Sequence, residues 1–155
     1  MDRKIRIAQY GCGKMSHYLM RYVLEKGGEL VAAFDMNPAM IGTDIGTHLG
    51  MEKLGITISD AKDASEILSK EKPDVCIIAT RSTMAELKEA FSVCAQNGIN
   101  AISTCEEALY PWNSSKEITE ELKNKIFGFS NELVEKMFPF LKNNSVLFTT
   151  FPLLL

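Results

Sequence analysis

Two glycines, a lysine and an acid carry the first recognisable chemistry in this chain. Gly11-Cys12-Gly13-Lys14 stands between a short apolar run and a helical pattern, and Asp35 closes a second apolar run 22 residues after Gly13. A turn of this composition suits a phosphate. Without a Cβ, Gly11 permits a tight bend and Gly13 lets a pyrophosphate come close to the backbone. The first N–H groups of the following helix have no intrahelical acceptor, so they offer donors at the positive end of the helix dipole. Lys14 and Met15 occupy that first turn. Lys14 can meet a phosphate there, although a lysine at an exposed helix start is as often simply solvated. Asp35, at the end of the second strand, can accept hydrogen bonds from an adenosine ribose. The third glycine usual in such a turn is Ser16 here. That position serves close helix–strand packing, so the phosphate turn itself is left intact.

The elements that position these residues follow from the hydrophobic pattern. Ile5, Ala8 and Ile7 suit a strand buried on both faces. Met15, Leu19, Tyr22 and Val23 recur at helical spacing and predict the inner face of a helix that stops at Gly27-Gly28. Residues 36–55 are rich in turn formers and predict a loop with one short helical turn, either wrapping the adenosine half of a ligand or serving as a plain connection. A short strand over 56–58 leads to a helix over 61–70 with Asp60 as N-cap and Ala64, Ile67 and Leu68 inward. Residues 75–79 read as a central parallel strand. Ser82 or Thr83 is the expected cap of a helix running to about Asn97, with Leu87, Ala90, Phe91 and Cys94 inward. A fifth strand over 99–104 follows, then a loop over 105–112 and a helix from Asn113 or Ser114 through Lys125. Such alternation predicts an α/β fold, a doubly wound parallel sheet of Rossmann-like type, over residues 1–125 as a single domain with an atypical tail at 126–155.

In open α/β sheets ligands bind at the carboxyl ends of the strands. By position, Thr80, Arg81 and Ser82 after the fourth strand and Thr104 at the end of the fifth complete the expected cofactor-binding set. Arg81 can instead pair with a surface acid. The charge of Asp35 opposes a ribose 2′-phosphate, and Met36-Asn37-Pro38 supplies no arginine to offset it, so NAD is expected over NADP, with Lys14 or Arg81 able to soften the preference. Glu106 and Glu107 can hold a substrate ammonium or be merely solvated. Cys105 has no basic partner in sequence and is expected to be inert. Trp112 reads as a packing anchor or as an aromatic beside a substrate pocket. No proton-transfer residue stands out, so the catalytic residue is left unassigned. His17 and His48 have no second ligand at metal-binding spacing, so no metal is expected.

A net charge of −3 gives no electrostatic footprint for nucleic acid, which points to small molecules or other protein chains as partners. No apolar leader follows Asp2-Arg3-Lys4 and no run is long enough to cross a bilayer, so a cytoplasmic protein is expected. Cys12, Cys76, Cys94 and Cys105 lack C-x-x-C spacing and read as buried free thiols. The tail differs in kind: six of the eight phenylalanines lie from Phe127 onward, with an amphipathic candidate over 131–141 and a strand candidate over 146–150. It could complete the sheet, form a homo-oligomer contact, or be altered relative to a longer parent.

Gly11-Cys12-Gly13-Lys14-Met15, Asp35, Gly42-Thr43-Asp44-Ile45-Gly46, Ala79-Thr80 and Ser103-Thr104-Cys105-Glu106-Glu107 together resemble the nucleotide-binding domain of the dihydrodipicolinate reductase-like dehydrogenases. Within that family the chain is most similar to the 2,4-diaminopentanoate dehydrogenases. The resemblance implies NAD(P)-dependent oxidative deamination of a small diamino acid, hydride passing to the nicotinamide and the imine then being hydrolysed. Members are much longer and carry a second domain that binds the amine substrate. Nothing after Lys125 matches it, so the chain reads as the cofactor half of such an enzyme with a foreign or altered tail. Two further readings stand beside this one. A regulatory or sensor domain would bind NAD(H) without chemistry. An adenosylmethionine-dependent transferase also places a glycine turn before an acid, but the clear third strand–helix unit and the Thr104-Cys105-Glu106-Glu107 loop speak against it.

Overall fold

The computed structural model describes residues 3–109 and 111–127. Five strands form one parallel sheet: β1 (Arg6–Tyr10), β2 (Glu29–Asp35), β3 (Ile58–Asp60), β4 (Val75–Ile78) and β5 (Asn100–Ser103), in the order β3-β2-β1-β4-β5. Helices α1 (Lys14–Glu25), α2 (Ile45–His48), α3 (Ala64–Glu71), α4 (Met84–Gln96), α5 (Pro111–Ser114) and α6 (Lys116–Phe127) connect or follow them. This is the doubly wound, Rossmann-like sheet that the alternation predicts.

Its strands are continuously apolar because both faces are covered. On one face Ala8, Tyr10, Phe34 and Ile78 pack with Leu68 of α3, Leu87 and Phe91 of α4 and Leu122 of α6. On the other, Ile7, Leu30 and Ala33 pack with Met20 of α1 and with Ile45 and Leu49. Burial of side chains of this size stabilises by roughly 1.5–3 kcal/mol each. The chain runs outward from β1 through β2 to β3 and then returns to pair β4 with the other side of β1. That reversal opens a crevice above the carboxyl ends of β1 and β4.

Several local expectations are corrected. Met15 and Tyr22 do not face the sheet; they are 54% and 62% exposed. The buried face of α1 is Ser16 and Met20, with Leu19, Val23 and Leu24 packed beside them. Two stripes of helical period compete in this sequence, and the small Ser16 decides between them because it lets the helix approach the sheet closely. Ile5 lies outside β1 and is exposed. The third strand begins at Ile58, since Thr57 instead bridges Asp44 in antiparallel sense. Asp60 does cap, accepting from the Lys62 N–H at 3.0 Å, but the first turn is a 3₁₀ turn over Ala61–Asp63. Thr83 stands at the N-cap position of α4 without a capping side-chain bond. The single helix expected after β5 is two, α5 and α6, parted at Ser115. The expectations for 131–141 and 146–150 lie outside the described residues.

Candidate functional site

The glycine turn is held from three sides. Gly11 sits at φ +89°, a conformation that favours glycine, and its N–H donates to the Phe34 carbonyl at 2.8 Å. A Cβ there would stand 2.5 Å from Thr80 Cγ2 and 2.7 Å from the Ala79 carbonyl oxygen, so the turn is seated against the end of β4. Gln9, fully buried in β1, donates to the Gly11 carbonyl at 2.6 Å. Gly13 is the opposite case: a Cβ would meet nothing within 4 Å, which leaves the backbone at the start of α1 open to a ligand. The Ser16 hydroxyl and N–H both donate to the Gly13 carbonyl, at 2.7 and 3.0 Å. The N–H groups that remain unengaged by helix geometry at the start of α1 belong to Lys14 and Met15.

Asp35 ties this turn to its own loop. Its Oδ2 accepts from the Cys12 N–H at 2.6 Å and its Oδ1 from the Asn37 N–H at 2.8 Å. Each oxygen keeps a second lone pair, so both can still accept a hydroxyl. The resulting cleft, of about 370 Å³, is lined by Gly11, Gly13, Asp35, Asn37, Thr80 and Arg81 among others. Five of the sequence-predicted positions, Gly11, Gly13, Asp35, Thr80 and Arg81, line this cleft, with Lys14 and Met15 exposed on the adjacent helix turn.

Across the cleft, Thr80, Arg81, Ser82 and Thr104 are all exposed. Arg81 Nε lies 3.8 Å from Glu86 Oε1, an exposed pair of small energetic worth. The two neighbouring acids, indistinguishable in sequence, divide sharply. Glu107 accepts from the Met84 N–H at 2.6 Å and from the Ser115 hydroxyl at 2.7 Å, so it caps α4 and ties down the segment before α6. The Met84 N–H and then the Ser115 hydroxyl hold its carboxyl below the usual range. Glu106 stays exposed beside the carboxyl ends of β4 and β5, its carboxyl lowered by its own backbone N–H and by the Ser82 hydroxyl. Cys105 is buried, and burial pushes its thiol up. The Cys12 thiol is pushed up to about 12 by burial and the nearby Asp35, which makes it inert as a nucleophile.

One juxtaposition has no signature in sequence. His17 Nε2 and His48 Nε2 lie 3.2 Å apart, and His48 Nε2 is 2.7 Å from the Cys12 carbonyl oxygen. The two histidines are 31 positions apart, and only the fold of the loop after β2 brings α2 against α1. They line a cavity of about 420 Å³ together with Cys12, Gly13, Lys14 and Tyr18.

Residues 5–106 match the family model described as dihydrodipicolinate reductase, N-terminus. The 4-hydroxy-tetrahydrodipicolinate reductase of Methanosphaera stadtmanae is 32% identical over 101 residues, covering 63% of this chain and 36% of that protein. The structure of an amine dehydrogenase from Mycobacterium smegmatis aligns at TM-score 0.74 with 35% identity, covering 79% of this chain and 36% of the other. The redox-sensing transcriptional repressor Rex of Rhodopirellula baltica is 34% identical over 77 residues, 48% of this chain and 29% of that protein. The chain thus spans little more than a third of the length of the first two. Because the family match runs over well beyond half of the sequence, the chain belongs to the dihydrodipicolinate reductase family through its N-terminal domain.

Proposed function

We propose that this chain is the NAD(P)-binding domain of an oxidoreductase that oxidatively deaminates a small diamino acid of the 2,4-diaminopentanoate kind. The observation that carries the cofactor is the open Gly13 backbone beside a carboxylate that already grips the turn. Those residues fit a dinucleotide: the start of α1 receives the pyrophosphate, Asp35 receives the adenosine ribose, and the Thr80-Arg81-Ser82 and Thr104 rim receives the nicotinamide half. Bound there, the oxidised nicotinamide supplies the hydride acceptor. With Asp35 flanking the ribose and Met36 and Asn37 lining the same cleft, NAD is favoured over NADP.

For the amine, the support is the 35% identity with an amine dehydrogenase and the exposure of Glu106. With Glu107 engaged in structure, Glu106 is the carboxylate left to hold a substrate ammonium at the strand ends. A test joins residues 1–125 to the remainder of the Mycobacterium smegmatis amine dehydrogenase and follows NADH formation from the diamino acid and NAD⁺. Turnover that falls at least tenfold in Glu106→Gln, with NADH binding retained, is the expected result. A folded chimera that binds NADH and never turns over would favour the second reading.

That second reading is an NAD(H)-binding sensor domain, favoured by the 34% identity with a redox-sensing repressor. A partner role for DNA would then rest on chain beyond this domain, because the net charge here is −3. The adenosylmethionine alternative has no relative to support it among those described above. For location, a cytoplasmic enzyme is the reading consistent with a small-molecule redox role, and among the described residues no helix is long and apolar enough to cross a membrane.

A further inference from the structure

We propose that His17 and His48 together chelate a divalent transition-metal ion of the Zn²⁺, Ni²⁺ or Cu²⁺ class beside the glycine turn. Their Nε2 atoms, 3.2 Å apart, have nearly the separation of two imidazole ligands on one tetrahedral ion with bonds of about 2.0–2.1 Å. The two rings meet edge to face with centroids 4.9 Å apart and planes at 75°, in hydrogen-bonding contact, and the Cys12 carbonyl takes His48 Nε2 at 2.7 Å, so an ion enters by displacing both contacts.

The pair is also held in place. His17 is anchored in α1, and the segment carrying His48 is fixed by Asp44, which accepts from the N–H groups of Thr47, Leu54 and Gly55 at 3.1, 3.1 and 2.8 Å. Arg21 of α1 donates to the Leu49 carbonyl at 3.1 Å and locks the two segments together. The adjoining cavity leaves room for water to complete the coordination shell. Among the described residues no group of three or more His, Cys, Asp or Glu side chains is placed to hold an ion, so two imidazoles and water set a micromolar rather than a nanomolar affinity.

A carbonyl only accepts, so in the metal-free protein His48 Nε2 carries its hydrogen toward Cys12, and an ion takes that nitrogen only in the tautomer with the hydrogen on Nδ1. Lys14 and Arg21 are the cations facing the pair; Lys14 is exposed and screened, and Arg21 is turned to the Leu49 carbonyl. Since His48 must release the Cys12 carbonyl, an ion here acts on the same turn that the dinucleotide uses.

The experiment is calorimetric titration of the full chain with ZnCl₂ and with NiCl₂ near neutral pH, for the wild type, His17→Gln and His48→Gln. Thermal unfolding checks that each variant is folded. The expected result is one ion per chain and an affinity lowered by about tenfold or more in each variant. Binding no tighter than about 1 mM would overturn the proposal, as would an affinity that survives in either variant, which would assign the ion to thiols or to a single histidine.

Discussion

On the β1–β2 side of the cleft the groups proposed to face the ligand are backbone and the Asp35 carboxylate, and on the β4–β5 side they are side chains. The first side is over-determined: Gly11 is pinned by Phe34, Gln9 and the end of β4, and Asp35 holds both the turn and its own loop. The second side is loose. Thr80, Arg81, Ser82, Thr104 and Glu106 are exposed, and Glu107 spends its bonds on α4 and on Ser115. Under the proposed function, the difference teaches which half of the chemistry this domain completes alone: phosphate and ribose recognition needs only what the sheet and its first helix supply, whereas substrate recognition at the strand ends calls for more groups than these residues present.

The comparison can be broken most forcefully at Gly11. Gly11→Val places a branched side chain at φ +89° and against Thr80 and Ala79, so a loss of about 3 kcal/mol or more is expected, seen as a fall of about 10 °C in Tm. Gly13→Ala sharpens the contrast, because its Cβ meets nothing within 4 Å: stability should change by less than about 1 kcal/mol while NADH affinity falls. Equal thermal losses in the two variants would refute the distinction drawn between them.

On the other side, Glu107→Gln should lower Tm at neutral pH and Glu106→Gln should lower it less. The sign with pH follows from the direction of the shift. Glu107 has its carboxyl held below the usual value in the folded protein, so its contribution is present above the unfolded value and is lost as pH falls through the folded one. The gap between wild type and Glu107→Gln should therefore close on acidification below about pH 4. A gap that widens in acid contradicts the capping role. Smallest of all is Arg81→Ala, where loss of an exposed pair should alter stability by less than about 0.5 kcal/mol.

Much of this was legible in the sequence where one residue type answers to one backbone need. Gly11, Gly13 and Asp35 stand out because a tight turn seated on β4 and gripped by a carboxylate admits few other residues, and the apolar run at 75–79 could hardly be other than a covered strand. What stayed hidden depends on rotation and on distance along the chain. The helical period alone could not say that Ser16 and Met20, rather than Met15 and Tyr22, face the sheet, since both stripes satisfy it. The division of labour between Glu106 and Glu107 turns on Met84 and Ser115, each in a different element. His17 and His48 meet only because the loop after β2 folds back.

The most direct test of the central claim is calorimetric titration of the full chain with NADH and NADPH, for the wild type and for Asp35→Ala. The account predicts that NADH binds, that NADPH binds more weakly, and that Asp35→Ala weakens NADH by about tenfold or more, through both the lost ribose acceptor and the released Cys12 N–H. A folded wild-type chain that binds neither nucleotide would contradict it, and the glycine turn would then be structural or would serve another ligand.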